Sequence, residues 1–197
     1  MSPSRLPNFR GQVLAVNRVE RLLRKVARAL ETAGIPYAVI GGNAVAAWVM
    51  TVDEGAVRAT KDVDILIRRT DLPAAAAALR PVGLIQDEVL GVTVFLDRRR
   101  PNPRTGVHVV FAGERVQPNS AHPAPEVTAS TRSASDFMVL DLPALVAMKL
   151  ASFRRIDQVH LEDLFSVKLL NETLIESLPE DLRARLREIQ ATRQERL

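Results

Sequence analysis

The chain has 197 residues, is 47% hydrophobic but only 4% aromatic, and carries 27 Lys and Arg against 23 Asp and Glu, a net charge of +4. That length and apolar share sustain one sizeable core, or one core with a small helical appendage, and exclude two full domains. Cysteine is absent, which excludes disulfides and thiolate metal sites and suits a reducing cytosol, while the arginine-borne surplus (only Lys25, Lys61, Lys149 and Lys168 are lysines) favours anionic partners such as nucleotides and nucleic acid.

The start, MSPSRLPNFR, lacks the apolar stretch of a signal peptide. Residues 11 to 33 then place Val16, Val19, Leu22, Leu23, Val26 and Leu30 three and four apart with Arg and Lys between them, the stripe of an amphipathic helix. Gly34 closes this helix and Pro36 stops its continuation. YAVI (37 to 40) reads as a short buried strand, Gly41-Gly42 as a tight turn, and NAVAAWVM (43 to 50) as a helix capped by Asn43. The longest uncharged run, residues 32 to 52, is broken by Gly34, Pro36, Gly41, Gly42 and Asn43, so it reads as strand, turn and helix rather than a membrane span. A soluble, cytoplasmic protein with no membrane partner is expected.

A loop over 51 to 61 leads into RATKDVDILI (58 to 67), an apolar strand whose mouth carries two carboxylates. Strand alternation turns Asp62 and Asp64 to one side and Val63, Ile65 and Ile67 to the other, with the two acids roughly 6–7 Å apart at Cα. Two acids on one face repel unless a hard cation such as Mg²⁺ joins them. Thr70 or Asp71 is expected to cap LPAAAAALR. VTVFLD (92 to 97) and VHVVF (107 to 111) read as two further strands, joined by a charged, Pro-containing hairpin connection. Residues 112 to 135, with their prolines, serines and threonines, read as an irregular boundary segment, and FMVL as one last strand. Asp141 is expected to cap LPALVAMKLASF, and helices follow at about 158 to 171 and 179 to 195. No internal repeat is present. The expected fold is α+β: a small mixed sheet of three or four strands flanked by helices over residues 1–135, then a C-terminal helical region over 136–197 packed on it.

The order VIGGNAVAAW, RATKDVDILI, β-hairpin resembles the nucleotidyltransferase fold of the DNA polymerase β superfamily, most closely its small stand-alone members such as AbiEii-type toxins and related uncharacterised bacterial proteins. The likeness covers roughly residues 35 to 111 and a Lys-bearing helix in the second half. It implies that Gly41 and Gly42 hold nucleotide phosphates at a helix N-terminus, where free backbone N–H groups favour anions. It implies further that Asp62 and Asp64 bind one or two Mg²⁺ ions and that a third carboxylate comes from a neighbouring strand. Arg58, Thr60, Asp62 and Asp64 form the Arg-x-Thr-x-Asp-x-Asp pattern such members carry. Arg58 and Lys61 add positive charge, and Lys149, in its Met-Lys-Leu context, would contact the phosphates. A Lys at that place on an apolar stripe also commonly snorkels.

One position departs from the pattern. Where the third acid is expected, on GVHVVFAGE, stands His108, a poor Mg²⁺ ligand but a competent proton acceptor near neutral pH. His108 is thus a candidate general base, and Glu114, a few residues on, a candidate replacement acid. Asp157, His160 and Asp163 lie downstream of Lys149 with no role the sequence assigns. The reading is a Mg²⁺-dependent enzyme that moves a nucleotidyl group from a nucleoside triphosphate to a hydroxyl, with RNA or tRNA, or a protein, favoured as acceptor and a cognate antitoxin-type protein as partner. The alternative is a non-catalytic nucleotide- or RNA-binding module with a degraded site, acting in regulation or in a toxin–antitoxin pair.

Overall fold

The computed structural model describes residues 9–117, 120 and 122–194, with side chains placed from 17 to 192. The leader reading of residues 1–8, the side chain of Val16 and the last residue of the expected C-terminal helix lie outside that range. Helix α1 (Phe9–Thr32) buries Val19, Leu23, Val26 and Leu30, the expected stripe, and ends at Gly34 (φ 66°). Then come β1 (Ala38–Ile40), α2 (Gly41–Met50), β2 (Val63–Ile67), α3 (Leu72–Leu79), β3 (Leu84–Val89), β4 (Val92–Asp97) and β5 (Val107–Phe111). They are followed by β6 (Ser130–Arg132), β7 (Met138–Leu140), α4 (Leu142–Ser152), α5 (Arg155–Ser166), α6 (Glu172–Ser177) and α7 (Glu180–Gln194).

The strands form one mixed sheet of seven in the order β3-β4-β5-β2-β1-β7-β6, more than the three or four expected. Strand β2 lies between parallel β5 and antiparallel β1, and β7 joins parallel to β1 at Val39 opposite Val139. Val63, Ile65, Leu66 and Ile67 are all buried, so β2 is covered on both faces, by α1 on one and α2 on the other. One continuous core runs from Leu30 through Ile65 and Phe95 to Leu145, Leu161 and Leu186. The fold is therefore α+β, with helices on a small mixed sheet and a helical C-terminal region, as expected.

Three local expectations fail for physical reasons. Helix α2 starts at Gly41, so Asn43 stands inside its first turn and binds elsewhere, as described below. Asp71 and Asp141 occupy N-cap positions without a side-chain capping bond; Pro at the start of each helix already removes one of the amides a cap would serve. Strand β3 was unforeseen because Gln86, Asp87 and Glu88 break its apolar pattern on an exposed edge, and its two-residue turn, Leu90-Gly91, uses Leu at φ 52° where Asn or Asp is usual. No helix among the described residues is long and apolar enough to cross a membrane.

Candidate active site

Parallel pairing of β2 with β5 sets Asp64 directly beside His108, at the end of the sheet where both strands begin. Asp62 stands just before β2 and completes a cluster: one oxygen of Asp62, one of Asp64 and a ring nitrogen of His108 lie within 4.8 Å of one another. His108 Nδ1 is 3.5 Å from Asp62 Oδ2 and 3.4 Å from Asp64 Oδ1. The other nitrogen, Nε2, is 2.9 Å from the carbonyl of Pro103, which can only accept, so Nε2 carries a proton and donates it there. Nδ1 therefore turns towards two carboxylates. Its lone pair is tolerable there only with a cation among the three groups: a proton on the ring, or a metal ion. Without metal the proton wins, and the hydrogen bond to Asp64, aided by both carboxylate charges, holds the His108 pKa above its ordinary value. Burial and the Asp64 charge raise that of Asp62.

Two glycines let α2 press on this cluster. Gly41 has φ 67°, and a Cβ there would fall 2.0 Å from Asp64 Oδ2. The Asp64 carboxylate thus occupies the space a side chain would need, at the positive end of the helix. A Cβ on Gly42 would meet Thr60 Cγ2 at 2.7 Å and the His160 ring at 3.5 Å. Asn43 ties the same turn to the loop ahead of β2, donating from Nδ2 to the Asp62 carbonyl (2.7 Å) and accepting from Thr60 Oγ1 (2.8 Å). These two hydrogen bonds hold the backbone at Asp62, which lies outside the strand ladder, and the side chain of Thr60. Arg58 gives its Nε to both oxygens of Asp163 on α5 (2.8 and 2.7 Å), pinning the other end of the loop. Lys61 is exposed and enters no ion pair among the described residues.

Lys149 is buried, its side chain only 6% exposed, and its ammonium donates to Asp157 Oδ1 at 2.8 Å. Asp157 also accepts from Ser152 Oγ and from the backbone N–H and Nε of Arg154. These partners hold the Asp157 carboxyl down at about 2, against the burial that opposes them. Arg154, at the N-cap of α5, is the cation sequence reasoning missed: its charge is felt by both Asp62 and Asp64, and its side chain stays 59% exposed. The available signal was the i,i+3 pair Arg154–Asp157, but its direction depends on Phe153 in the left-handed conformation (φ 50°), an uncommon state for an aromatic residue. His160 has a buried Nδ1 with no partner, and burial followed by the Lys149 charge presses its pKa down to about 4. Glu114 is no part of the cluster. It lies past the end of β5, in a turn whose Glu114 N–H bonds the Phe111 carbonyl, and makes a bidentate bond to Arg69 (2.7 and 2.6 Å).

Residues 98–106, the connection from β4 to β5, form the rim beside His108. Arg98, Arg99, Arg100 and Arg104 are exposed there and enter no ion pair among the described residues, and Arg99 and Arg100 are positioned through backbone bonds to Asp97 Oδ1.

No family model matches the sequence, and no curated protein does. The fold is similar to that of a nucleotidyltransferase-like antigenic protein from Paracoccidioides brasiliensis, at TM-score 0.60 and 15% identity, covering 92% of this chain and 91% of that one. It is also similar to the antibiotic-resistance factor ANT(2'')-Ia. The solution structure of that factor gives TM-score 0.56 at 15% identity over 92% of this chain and 97% of that one. Its crystal structure with adenylyl-2''-tobramycin gives 0.55 at 17% over 86% and 97%. The fold class is thus that of the nucleotidyltransferases, over nearly the whole chain.

Proposed function

We propose that the chain is a nucleotidyltransferase of the small AbiEii-like kind, moving a nucleotidyl group from a nucleoside triphosphate to a hydroxyl. The observation that carries this reading is the convergence of Asp62, Asp64 and His108 beside the glycine N-terminus of α2 on this fold. A divalent ion held by the two aspartates would neutralise phosphate charge and polarise the α-phosphorus. The first turn of α2 offers backbone N–H groups to phosphate oxygens, with Gly42 letting that turn pack closely on Thr60 and His160. Arg154 and Lys61 supply positive charge to the triphosphate. Lys149 acts through Asp157 by holding Arg154 in place. In the transfer the acceptor oxygen bonds to the α-phosphorus, the α–β anhydride bond breaks and pyrophosphate leaves. The hydroxyl proton passes to the carboxylate pair, of which Asp62 is the more exposed. His108 is less suited to that task than the sequence suggested, because both of its nitrogens are engaged by the protein.

The exposed arginines of the 98–106 rim support an anionic acceptor, RNA first, over a polycation of the tobramycin type. The test is incubation with each labelled triphosphate and, separately, total RNA, a protein extract and tobramycin, with Asp62→Asn and Asp64→Asn as controls. The expected result is label in RNA, lost in both variants while both remain folded, since each substitution keeps the size of the side chain. Triphosphate binding without label in any fraction would replace the enzyme by the binding module. Co-purification of a protein that suppresses labelling would add the antitoxin-type partner.

A further inference from the structure

Mg²⁺ is the ion this fold leads one to expect, and Asp62 and Asp64 suit it, but the third donor does not. Mg²⁺ prefers oxygen ligands throughout and accepts imidazole poorly, whereas the first-row transition ions from Mn²⁺ upwards bind a nitrogen donor with rising strength, Mn²⁺ being the weakest of them. His108 is not simply near the acids. Its Nε2–H is fixed on the Pro103 carbonyl at 2.9 Å, which turns Nδ1 towards both carboxylates and sets the tautomer a metal-binding histidine needs. The outer hydrogen bond to a backbone carbonyl is the usual support of a ligating imidazole. Parallel register with β2 holds the ring against Asp64, and the residue is half-buried, so swinging away would cost the Pro103 bond.

We propose that Asp62, Asp64 and His108 Nδ1 together bind a nitrogen-accepting divalent ion of the Mn²⁺ class in preference to Mg²⁺. The histidine is then a ligand that sets metal choice. The inference shares its site with the proposed transfer reaction, and rests on that reading only for the expectation that a metal is used. It is tested without triphosphate or acceptor, so each can fail alone.

Every carboxylate site favours Mn²⁺ over Mg²⁺ to some extent, so the informative quantity is how that preference depends on residue 108. Mn²⁺ affinity is read from the loss of the free-ion electron paramagnetic resonance signal, and Mg²⁺ affinity by competition. Pulsed resonance on wild-type protein, with and without ¹⁵N-histidine, reports any nitrogen bonded to the ion. The expected result is one Mn²⁺ per chain with a directly bound histidine nitrogen. His108→Asp should remove that coupling and lower the Mn²⁺/Mg²⁺ preference about tenfold or more, in the range that ligand-shell changes produce. His108→Ala should remove the coupling and weaken Mn²⁺ binding. Mn²⁺ bound with no nitrogen coupling in the wild type, an unchanged preference in His108→Asp, or no Mn²⁺ binding at millimolar concentration would each overturn the inference. The nitrogen signal belongs to the unaltered protein, so a poorly folded variant does not remove the test. Labelled RNA with Mg²⁺ alone and no nitrogen coupling would sink the metal preference and leave the transferase; nitrogen coupling with no labelling would do the reverse.

Discussion

Asp157→Asn removes one charge from the most enclosed ionic cluster of the protein while keeping its shape. Asp157 is 1% exposed, and the Lys149 ammonium it pairs at 2.8 Å sits on a side chain only 6% exposed. With an amide opposite, that ammonium is left buried without a counter-charge, a situation that costs about 3–5 kcal/mol. The carboxyl itself gives a second measure. Held at about 2 against an ordinary 3.8, it contributes about 2 kcal/mol at neutral pH. The two figures bracket an expected loss of about 2–5 kcal/mol, read from urea denaturation followed by the single tryptophan. Because the folded value is depressed, the contribution is fully present above about pH 4 and disappears as the pH falls towards about 2, and only the wild type should show that acid limb in full. Adding Lys149→Met removes the stranded charge, so the double variant should be more stable than Asp157→Asn alone, with a coupling of at least about 1 kcal/mol. If Asp157→Asn lies within about 0.5 kcal/mol of wild type, or if the two losses simply add, the buried pair is not what holds α4 and α5 together.

Gly41→Ala forces a Cβ into the Asp64 carboxylate and a left-handed backbone on alanine; an expected loss of about 1–3 kcal/mol in stability should come with weakened metal binding, measured by denaturation and by titration. Arg154→Ala should weaken triphosphate binding about tenfold, and Arg154→Lys recover part of it, by calorimetry; equal affinity in all three would remove this residue from the phosphate site. His160, pressed down to about 4, should keep constant ring resonances from pH 8 to 5.5 in a histidine-labelled spectrum. Its depressed value means that protonation favours the unfolded chain, so the stability it supports falls as the pH drops from about 6.5 towards 4.

The sequence exposed the site where chemistry and periodicity agree. Asp62 and Asp64 stand out because they interrupt an apolar strand, and β4 and β5 appear with their observed bounds because each reads as a run of β-branched and aromatic residues. His108 stands out only as the position where the resemblance leads one to expect a third acid, with alternation giving its face; the pairing with Asp64 comes from the sheet register. What stayed hidden depends on partners far away in the chain. Asn43 carries no mark that distinguishes a cap from a clamp; only the position of Thr60 and the Asp62 carbonyl decides it. Lys149 could snorkel or reach phosphate by its helical spacing, and the presence of Asp157 eight residues on, brought back by the turn at Phe153, gives it a third fate. Strand β6 has three residues in a segment full of turn formers, and it exists because β7 offers it an edge.

The pairing of β1 with β7 also governs when the site exists during synthesis. The two acids and the glycine turn lie within the first third of the chain, yet α2 rests on elements that follow residue 137, and Arg154 arrives later still. Contacts separated by about a hundred residues form slowly and late, since long loops must close before they are rewarded. A nascent chain that has released Asp62 and Asp64 therefore carries a repelling acid pair until β5 brings His108 beside them, and it lacks Arg154 until α4 and α5 dock. The closure has a built-in reporter: Trp48, the one tryptophan, donates its indole N–H to the Leu140 carbonyl at the end of β7 (2.9 Å), so its fluorescence marks the moment the late segment seats on the early one.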